Sequence, residues 1–256
     1  MPEPVLHHES AGDDSGPVLL LGCSLGTNVA MWEPQVARLA EHLRVIRYDH
    51  RGHGASPVPP GPYEIEDLGR DVLALMDRLG VERASVGGVS LGGMVGMWLG
   101  AHAPDRVERL VLCCTSAHLP PASAWAERAA AVRAAGTTEV VADVVVERWL
   151  TPAFAEANPE TQAWLRAMLL ATDPDGYAAC CGVIERMDLR DALPSIAAPT
   201  LVVSASGDQA TPPEHQRLLA EAIPAARLET VSPAAHIGNV ERAEAITGLI
   251  LGHVVG

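Results

Sequence analysis

Aromatic and basic residues are both scarce in this chain of 256 residues. Aromatic side chains make up 4% of the residues, so a hydrophobic core has to be built mostly from alanine, valine and leucine. The chain has 18 Lys and Arg residues against 32 Asp and Glu residues, which gives a formal charge of −14. Because nucleic acids and anionic membrane surfaces are bound through basic patches, this imbalance argues against both as partners.

Long apolar runs and metal-binding or redox cysteine motifs are also missing. The apolar stretches are too short or too interrupted to span a bilayer, and the polar, acidic start at Met1–Gly16 lacks the pattern of a signal peptide. None of the five cysteines has CxxC spacing. We therefore expect a cytoplasmic protein with reduced, mostly buried thiols. The cysteines are Cys23, Cys113, Cys114, Cys180 and Cys181.

The sequence does contain short apolar runs that alternate with segments of helical periodicity. This alternation indicates βαβ units and a mainly parallel sheet flanked by helices, and the length suits a single α/β domain over residues 1–256. The predicted strands are Val18–Leu21, Arg44–Tyr48, Ala84–Gly87, Leu110–Cys114, Thr200–Ser204 and Arg227–Val231. The predicted helices are Val36–Leu43, Ile65–Leu79, Leu91–His102 and Val240–Val254.

The pattern changes between Ser116 and about Pro194, where helical segments rich in Ala, Trp and Arg occur without a convincing strand. A helical insertion between two sheet strands is typical of a lid over an active site. We predict such a cap at about residues 117–194, inserted before the last two strands. The alternative is an outer helical layer with no role at the site.

A candidate nucleophile lies in Gly88-Val89-Ser90-Leu91-Gly92, which matches the pattern GxSxG. The match is weak by itself, but it follows a predicted strand and opens a predicted helix, which is the setting of the nucleophile elbow of α/β-hydrolases. A sharp turn there strains the backbone of Ser90, and only small residues at Gly88 and Gly92 let the chain pass so closely. The alternative is a plain glycine-rich connection between strand and helix.

A serine hydroxyl needs a base, and the base needs a charge-stabilising acid. In the α/β-hydrolase fold these follow in the order Ser, acid, His. Asp208 follows the strand Thr200–Ser204, and His236 follows the last predicted strand, so both suit a triad with Ser90. Three other residues suit it less, because two lie in the helical insertion and one in a probable helix: Asp188, Asp191 and His215.

The oxyanion formed during acyl transfer also needs hydrogen-bond donors. The backbone N–H of Leu91, directly after the nucleophile, is the first candidate. The second candidate is the N–H of Leu25, in the turn that follows Val18–Leu21.

No pattern in the sequence predicts a metal or cofactor. His50 and His53 have no third ligand at suitable spacing, and no HExxH, P-loop or GxGxxG after a strand occurs. We read Asp49-x-Arg51-Gly52-x-Gly54 as a structural turn near the site. His7 and His8 lie in a start that we expect to be irregular, with no function.

Several stretches together resemble 3-oxoadipate enol-lactonases, α/β-hydrolases of the β-ketoadipate pathway of aromatic catabolism. The more specific stretches are the Ser-Leu-Gly-Thr turn at residues 24–27 with Met31-Trp32, and Arg148-Trp149-x-Thr151-Pro152-x-Phe154. The GxSxG elbow, the Asp-x-Arg-Gly turn and residues 236–242 complete a resemblance over nearly the whole chain. One departure concerns the oxyanion turn, where Cys23-Ser24 stands in place of the usual His-Gly.

The resemblance implies attack of Ser90 on the carbonyl of a small anionic enol-lactone, with His236 as the base and no cofactor. A cationic residue of the cap is then expected to bind the substrate carboxylate. The candidates are Arg133 and Arg148, with Trp149 as an apolar wall, although these arginines equally suit solvated helix faces.

Two other functions stay open at this stage. A carboxylesterase, or a lactonase for another ring and pathway, has the same fold and triad, because fold does not determine substrate. A non-catalytic binding protein of this fold is the second alternative, and the intact Ser, Asp and His argue against it. The oligomeric state does not follow from the sequence.

Overall fold

The computed structural model describes residues 4–256, so the first three residues of the Met1–Gly16 segment lie outside the described part. The strands are β1 (His8–Ala11), β2 (Val18–Gly22), β3 (Arg44–Tyr48), β4 (Ala84–Val89), β5 (Val107–Cys113), β6 (Thr200–Ala205) and β7 (Ala226–Val231). They form one sheet in the order β1-β3-β2-β4-β5-β6-β7. β1 is antiparallel to β3 and every other neighbouring pair is parallel, which confirms the predicted fold class.

The helices are α1 (Glu33–Ala40), α2 (Ile65–Arg78), α3 (Leu91–His102), α4 (Ala122–Ala135), α5 (Glu139–Val146), α6 (Pro152–Ala157), α7 (Pro159–Ala171), α8 (Pro174–Arg186), α9 (Pro213–Ala222), α10 (Gly238–Glu241) and α11 (Ala243–Val254). The series α4–α8 lies between β5 and β6, in the segment where the sequence predicted helices alone. Within residues 4–256, none of these helices has both the length and the apolar character that a membrane crossing needs.

The strands are predictable because most of their residues are inaccessible to solvent. Every residue of β4 and β6 is buried, as expected for central strands of a parallel sheet covered by helices on both faces. Such strands appear in a sequence as short continuous apolar runs. The central helix α3 is buried along most of its length and packs against β4 and β5.

The strand order also shows where a ligand site is expected. The chain runs from β2 outward to β3, then returns to the other side of β2 to form β4. This reversal opens a crevice beyond the carboxyl ends of β2 and β4, which is where open α/β sheets bind ligands. The turn after β2 and Ser90 after β4 both lie at that crevice.

The prediction of an irregular start was wrong, because residues 8–11 form the edge strand β1. His8 pairs with Tyr48 and Ala11 with Val45 in an antiparallel ladder. This edge strand is short, mostly polar and nowhere fully buried, so it contains no apolar run that would reveal it in the sequence. The buried Arg47 side chain of β3 reaches Glu9 of β1 at 2.6 Å and ties the two strands together.

The last predicted helix, Val240–Val254, is two helices in the structure. α10 ends at Glu241, and Arg242 leaves the helical region with φ −129° and ψ 50° before α11 begins. The Arg242 guanidinium donates to the carbonyl of Pro233 at 2.6 Å, which holds this break against the loop that carries His236.

Candidate active site

Ser90 lies on a sharp turn between β4 and α3, with φ 55° and ψ −115°. A positive φ is rare for a serine, so the surrounding structure has to hold it. The Ser90 N–H donates to the carbonyl of Cys113 on β5 at 3.0 Å. The Thr115 hydroxyl donates to the Ser90 carbonyl at 2.6 Å, so both peptide groups of the serine are fixed by the neighbouring strand and its loop.

Two glycines allow the close approach that this turn requires. A Cβ on Gly88 would lie 2.2 Å from the carbonyl carbon of Gly92. A Cβ on Gly92 would lie 2.3 Å from the carbonyl oxygen of Gly22 on β2. Any larger residue at either position therefore overlaps with backbone, which is the steric reason for the pattern GxSxG here.

Asp208 and His236 are in direct contact in the structure. His236 Nδ1 lies 2.9 Å from Asp208 Oδ2 and 3.1 Å from Oδ1. Both residues are buried, with exposed fractions of 3% each. Because the carboxylate accepts from Nδ1–H, the second nitrogen of the neutral ring, Nε2, remains as its basic atom.

Thr211 also contacts the acid, a role that the sequence analysis did not assign. Its N–H donates to Asp208 Oδ1 at 2.9 Å and its hydroxyl donates to Oδ2 at 2.8 Å. The amide of Gln216 donates to the Thr211 carbonyl at 3.1 Å and fixes this loop to α9. The spacing Asp-x-x-Thr before a proline-led helix is a turn signal that sequence reading can detect.

The protonation of Asp208 follows from these contacts. Burial raises the pKa of this carboxyl group, but the charge of His236 and the hydrogen bonds from His236 and Thr211 outweigh burial and lower the pKa below its ordinary value. Asp208 is therefore ionised at neutral pH. An ionised acid at this position stabilises positive charge on the His236 ring.

The loop of His236 is attached to the cap on both sides of the histidine. The Ala235 N–H donates to Glu241 Oε2 at 2.9 Å, and the Ile237 N–H donates to the carbonyl of Trp149 at 2.9 Å. Thr151 follows the cap helix α5 and the turn after that helix. Its N–H and its hydroxyl both donate to the same Glu241 carboxylate. This buried glutamate therefore joins the histidine loop to the cap.

The turn after β2 is held against the start of α3. Gly92 N–H donates to the carbonyl of Cys23 at 2.9 Å, and Thr27 N–H donates to the carbonyl of Ser24 at 3.1 Å, closing a turn with Gly26 at φ 78°. The hydrogen bond that closes this turn uses the N–H of Thr27, so the N–H of Leu25 takes no part in closing the turn. Leu91 is the first residue of α3, whose N–H has no intrahelical partner.

One cavity lies between these turns and the cap and is partly open to solvent. Its floor includes Ser90, His236 and Leu25. Its roof comes from the cap, and the cap residues that line it are Leu119, Trp125, Arg128, Val145, Arg148, Trp149, Tyr177 and Ile184. The site is thus a mostly apolar chamber with a few polar groups, as is usual for small-molecule sites.

The structure separates the two arginines that were expected at the site. Arg148 and Trp149 line the cavity, whereas Arg133 lies outside it and lines a groove with Pro59 and Asp175. Arg128, which the sequence analysis did not select, takes the second position in the cavity. Helix α4 carries both Arg128 and Arg133, and only the packed helix shows which of the two points inward.

His50 and His53 are both buried inside the protein. His50 donates from Nε2 to the Cys23 carbonyl at 3.0 Å, and burial lowers the pKa of His50 to about 3 and that of His53 to about 4. Both rings are therefore neutral near pH 7. Within residues 4–256, no three His, Cys, Asp or Glu side chains come together as a metal site.

The Asp49–Gly54 turn is also structural, as predicted. Asp49 accepts from the N–H of Val29 at 2.7 Å and from that of Ala55 at 2.9 Å. Arg51 forms a buried two-point ion pair with Asp71, at 2.6 and 2.7 Å.

Comparisons with known proteins support a catalytic reading of this geometry. A family model described as alpha/beta hydrolase fold matches residues 16–148. The chain is 40% identical over 240 residues to 3-oxoadipate enol-lactonase 2 of Acinetobacter baylyi, covering 94% of this chain and 89% of that protein. The crystal structure of the enol-lactonase from Burkholderia xenovorans LB400 matches with a TM-score of 0.96 and 43% identity, over 98% of this chain and 96% of that one.

A thermophilic esterase from Thermogutta terrifontis, solved with malate bound, matches with a TM-score of 0.91 and 31% identity, over 96% of this chain and 92% of that one. The fold and these matches together define a hydrolase of the α/β class. The chain belongs to the α/β-hydrolase family and, within it, to the 3-oxoadipate enol-lactonase family. The resemblance found in the sequence is thereby confirmed.

Proposed function

We propose that this protein hydrolyses carboxylic esters and lactones through Ser90, His236 and Asp208, and that its substrate is 3-oxoadipate enol-lactone. The observation that carries the proposal is the cavity itself, in which Ser90 and His236 line one chamber with arginines in the cap above them. The Acinetobacter and Burkholderia relatives named as enol-lactonases support the choice of lactone.

The first half of the reaction forms an acyl-enzyme. His236, held by Asp208, takes the proton of Ser90 while the Ser90 oxygen attacks the lactone carbonyl carbon. The negative charge that develops on the carbonyl oxygen is stabilised by the N–H groups of Leu25 and Leu91. Collapse of the tetrahedral intermediate breaks the ring C–O bond, and the enol oxygen leaves.

The second half releases the product. The departing enol takes the proton from His236 and tautomerises to a ketone, which makes ring opening favourable. His236 then removes a proton from water, the hydroxide attacks the acyl carbon, and the Ser90 oxygen leaves with that proton. The net change is the addition of one water molecule to the lactone, giving 3-oxoadipate.

The cap supports selection of an anionic substrate. The formal charge of −14 repels anions from the protein as a whole, so a substrate carboxylate needs a local cation. Arg148 is exposed and lines the cavity, so it provides positive charge at the part open to solvent. Trp149 is buried beside it and provides an apolar wall.

The test is the loss of enol-lactone ultraviolet absorbance, with the lactone made in situ. We expect rapid loss with the native protein and none above background with Ser90→Ala. No turnover by the native protein, despite labelling of Ser90 by a fluorophosphonate, would keep the hydrolase and reject this lactone.

A general carboxylesterase is the second candidate, because the Thermogutta terrifontis relative is an esterase. An esterase without preference for anions does not require cationic cap residues. Arg148→Ala should then leave turnover nearly intact on every substrate. We expect instead that Arg148→Ala weakens turnover of the anionic lactone more than that of a neutral ester.

We place the reaction in the cytoplasm, within aromatic catabolism. The five cysteines are all free thiols and buried, which fits a reducing compartment. Measurement of enol-lactonase activity in the cytosolic and periplasmic or secreted fractions of the source cell tests this placement.

A further inference from the structure

The hydroxyl of Tyr177 is a buried polar group whose hydrogen has no acceptor. Tyr177 lies in the first half of α8, its exposed fraction is 0%, and it lines the cavity. Among residues 4–256, no acceptor forms a hydrogen bond with the hydrogen of this phenol. A buried donor left unpaired lowers stability, so such a group in a cavity is expected to find its partner in a ligand.

A guanidinium lies beside this phenol. Arg128 on α4 lines the same cavity, and its Cζ lies 4.6 Å above the ring of Trp125, a stacking that fixes its direction. Burial and the neighbouring Cys181 raise the pKa of Tyr177. The charge of Arg128 and its hydrogen bond to the phenol oxygen oppose that rise without cancelling it, so the phenol keeps its proton at neutral pH. Because a guanidinium has donors only, the phenol hydrogen still lacks an acceptor.

The position of the Tyr177 ring links the cap to the reacting end of the cavity. A Cβ built on Gly26, in the turn that carries Leu25, would lie 3.2 Å from Cε2 of Tyr177. The ring therefore packs on the proposed oxyanion turn. Leu25 and Tyr177 line the same cavity. If the carbonyl of a small ligand binds at Leu25, the opposite end of that ligand therefore lies in the cavity that Tyr177 also lines.

A second buried phenol, that of Tyr48, shows what distinguishes Tyr177. Tyr48 is also fully buried with a partnerless hydroxyl, but it is absent from the cavity lining. Its hydroxyl lies 2.6 Å from the position that a Cβ on Gly22 would take, so it is packed against backbone. Of these two phenols, Tyr177 alone combines a hydrogen that lacks an acceptor with an open space and a cation.

We propose that Tyr177 and Arg128 form a subsite for the carboxylate of the substrate. The Tyr177 hydroxyl donates to one carboxylate oxygen, and the Arg128 guanidinium donates to the carboxylate as a charge-assisted pair. Tyr177 and Arg128 together call for an anionic acceptor. A neutral ester has neither the negative charge nor the two strong acceptor oxygens of a carboxylate. This inference rests on the proposed function for the identity of the substrate and refines its specificity.

Three variants test the subsite: Tyr177→Phe, Arg128→Met and the matched control Tyr48→Phe. Each phenylalanine variant removes one buried hydroxyl, and methionine keeps apolar packing on Trp125. For each variant, kcat/KM is measured on the anionic enol-lactone and on neutral p-nitrophenyl acetate. A second assay measures inhibition of p-nitrophenyl acetate hydrolysis by adipate, with uncharged adipamide as its control.

We expect the ratio of the two kcat/KM values to fall about tenfold in Tyr177→Phe and about tenfold to hundredfold in Arg128→Met, the range for charged hydrogen bonds. The inhibition constant of adipate should rise by similar factors, and that of adipamide should not change. Tyr48→Phe should keep the native ratio. Melting temperatures identify any variant that has lost its fold.

The other outcomes also decide the question. An unchanged ratio in Tyr177→Phe overturns the role of the phenol, and equal losses on both substrates overturn a carboxylate subsite in favour of a general role such as oxyanion binding. If the native protein does not hydrolyse the lactone but adipate inhibition depends on both residues, the proposed function fails and the subsite stands.

Discussion

At Ser90 the backbone adopts a conformation that few serines take, and three neighbouring segments maintain it. β5 and its loop hold both peptide groups of Ser90, while Gly92 lies against Gly22 of β2. The strain is local and is compensated by packing around it. Its chemical consequence is a serine hydroxyl presented to the cavity at the N-terminus of a buried helix, where negative charge is stabilised.

Gly92→Ala tests this packing directly. The added Cβ would lie 2.3 Å from the Gly22 carbonyl oxygen, so we expect a loss of about 2 kcal/mol or more in the free energy of unfolding, together with lost activity. Gly248→Ala is the matched control in α11, where no atom lies within 4 Å of the new Cβ. It should gain about 0.5–1 kcal/mol. Equal urea unfolding curves for the two variants would contradict this account.

Asp208→Asn tests the charge of the acid. We expect kcat/KM to fall by about 10⁴-fold, because an amide neither stabilises the imidazolium nor selects the right tautomer. The pKa of Asp208 is lowered by folding, so its contribution to stability is present above the unfolded pKa and is lost as the pH falls through the folded pKa. The difference in melting temperature between native protein and variant should therefore shrink below about pH 4. A constant difference down to pH 2 would contradict the lowered pKa.

At the scale of secondary-structure elements, the residue that matters most for the proposed chemistry is Glu241, which joins the histidine loop to the cap. Its carboxylate accepts from Ala235 in the histidine loop and from Thr151 in the cap, and Glu241 does not line the cavity. We therefore expect Glu241 to act as a positioning residue for the loop that carries His236.

Glu241→Ala leaves the buried N–H of Ala235 and the partly buried N–H of Thr151 without their acceptor. We expect a loss of about 2–4 kcal/mol in unfolding free energy and a fall in kcat of about tenfold, with a smaller change in KM. Glu221→Ala, at an exposed position of α9, is the control and should match the native protein within about 0.5 kcal/mol. Native kcat in Glu241→Ala would refute a positioning role.

The elements predicted with correct bounds adjoin a turn that the sequence marks. β3 and α3 are the examples, because β3 ends at the glycine-containing Asp49–Gly54 turn and the elbow marks the start of α3. β1 was missed because an edge strand needs no apolar run, and the break at Arg242 was missed because the apolar spacing continues across it.

The residues of the candidate site also fall into two groups, those that local sequence features indicate and those that only the folded structure brings into place. Ser90, Asp208 and His236 were predicted from chain order and strand ends, which are local features of the sequence, and their catalytic roles stay a prediction. The choice between Arg128 and Arg133 depends on the rotation of α4 against the rest of the cap, which the weak amphipathic pattern of this helix does not specify. Glu241 and Tyr177 gain their roles only from contacts with residues distant in sequence.

At the scale of the whole molecule, the five thiols report on the integrity of the core. All are buried, and burial raises the pKa of Cys113 and of Cys181 to about 12. Since the thiolate is the reactive form, we expect the native protein to show almost no reaction with a thiol reagent at pH 8. In guanidinium chloride all five should react, and fast reaction of a folded thiol would contradict the packing described.

The central claim is that lactone hydrolysis occurs at Ser90, and one titration tests it most directly. The protein is inactivated stepwise with a fluorophosphonate, and each sample is divided between peptide mapping of the labelled serine and the enol-lactone assay. The account predicts label on Ser90 alone and loss of lactonase activity in proportion to the labelled fraction. Lactone turnover that survives complete labelling of Ser90, or label on another serine, would contradict it.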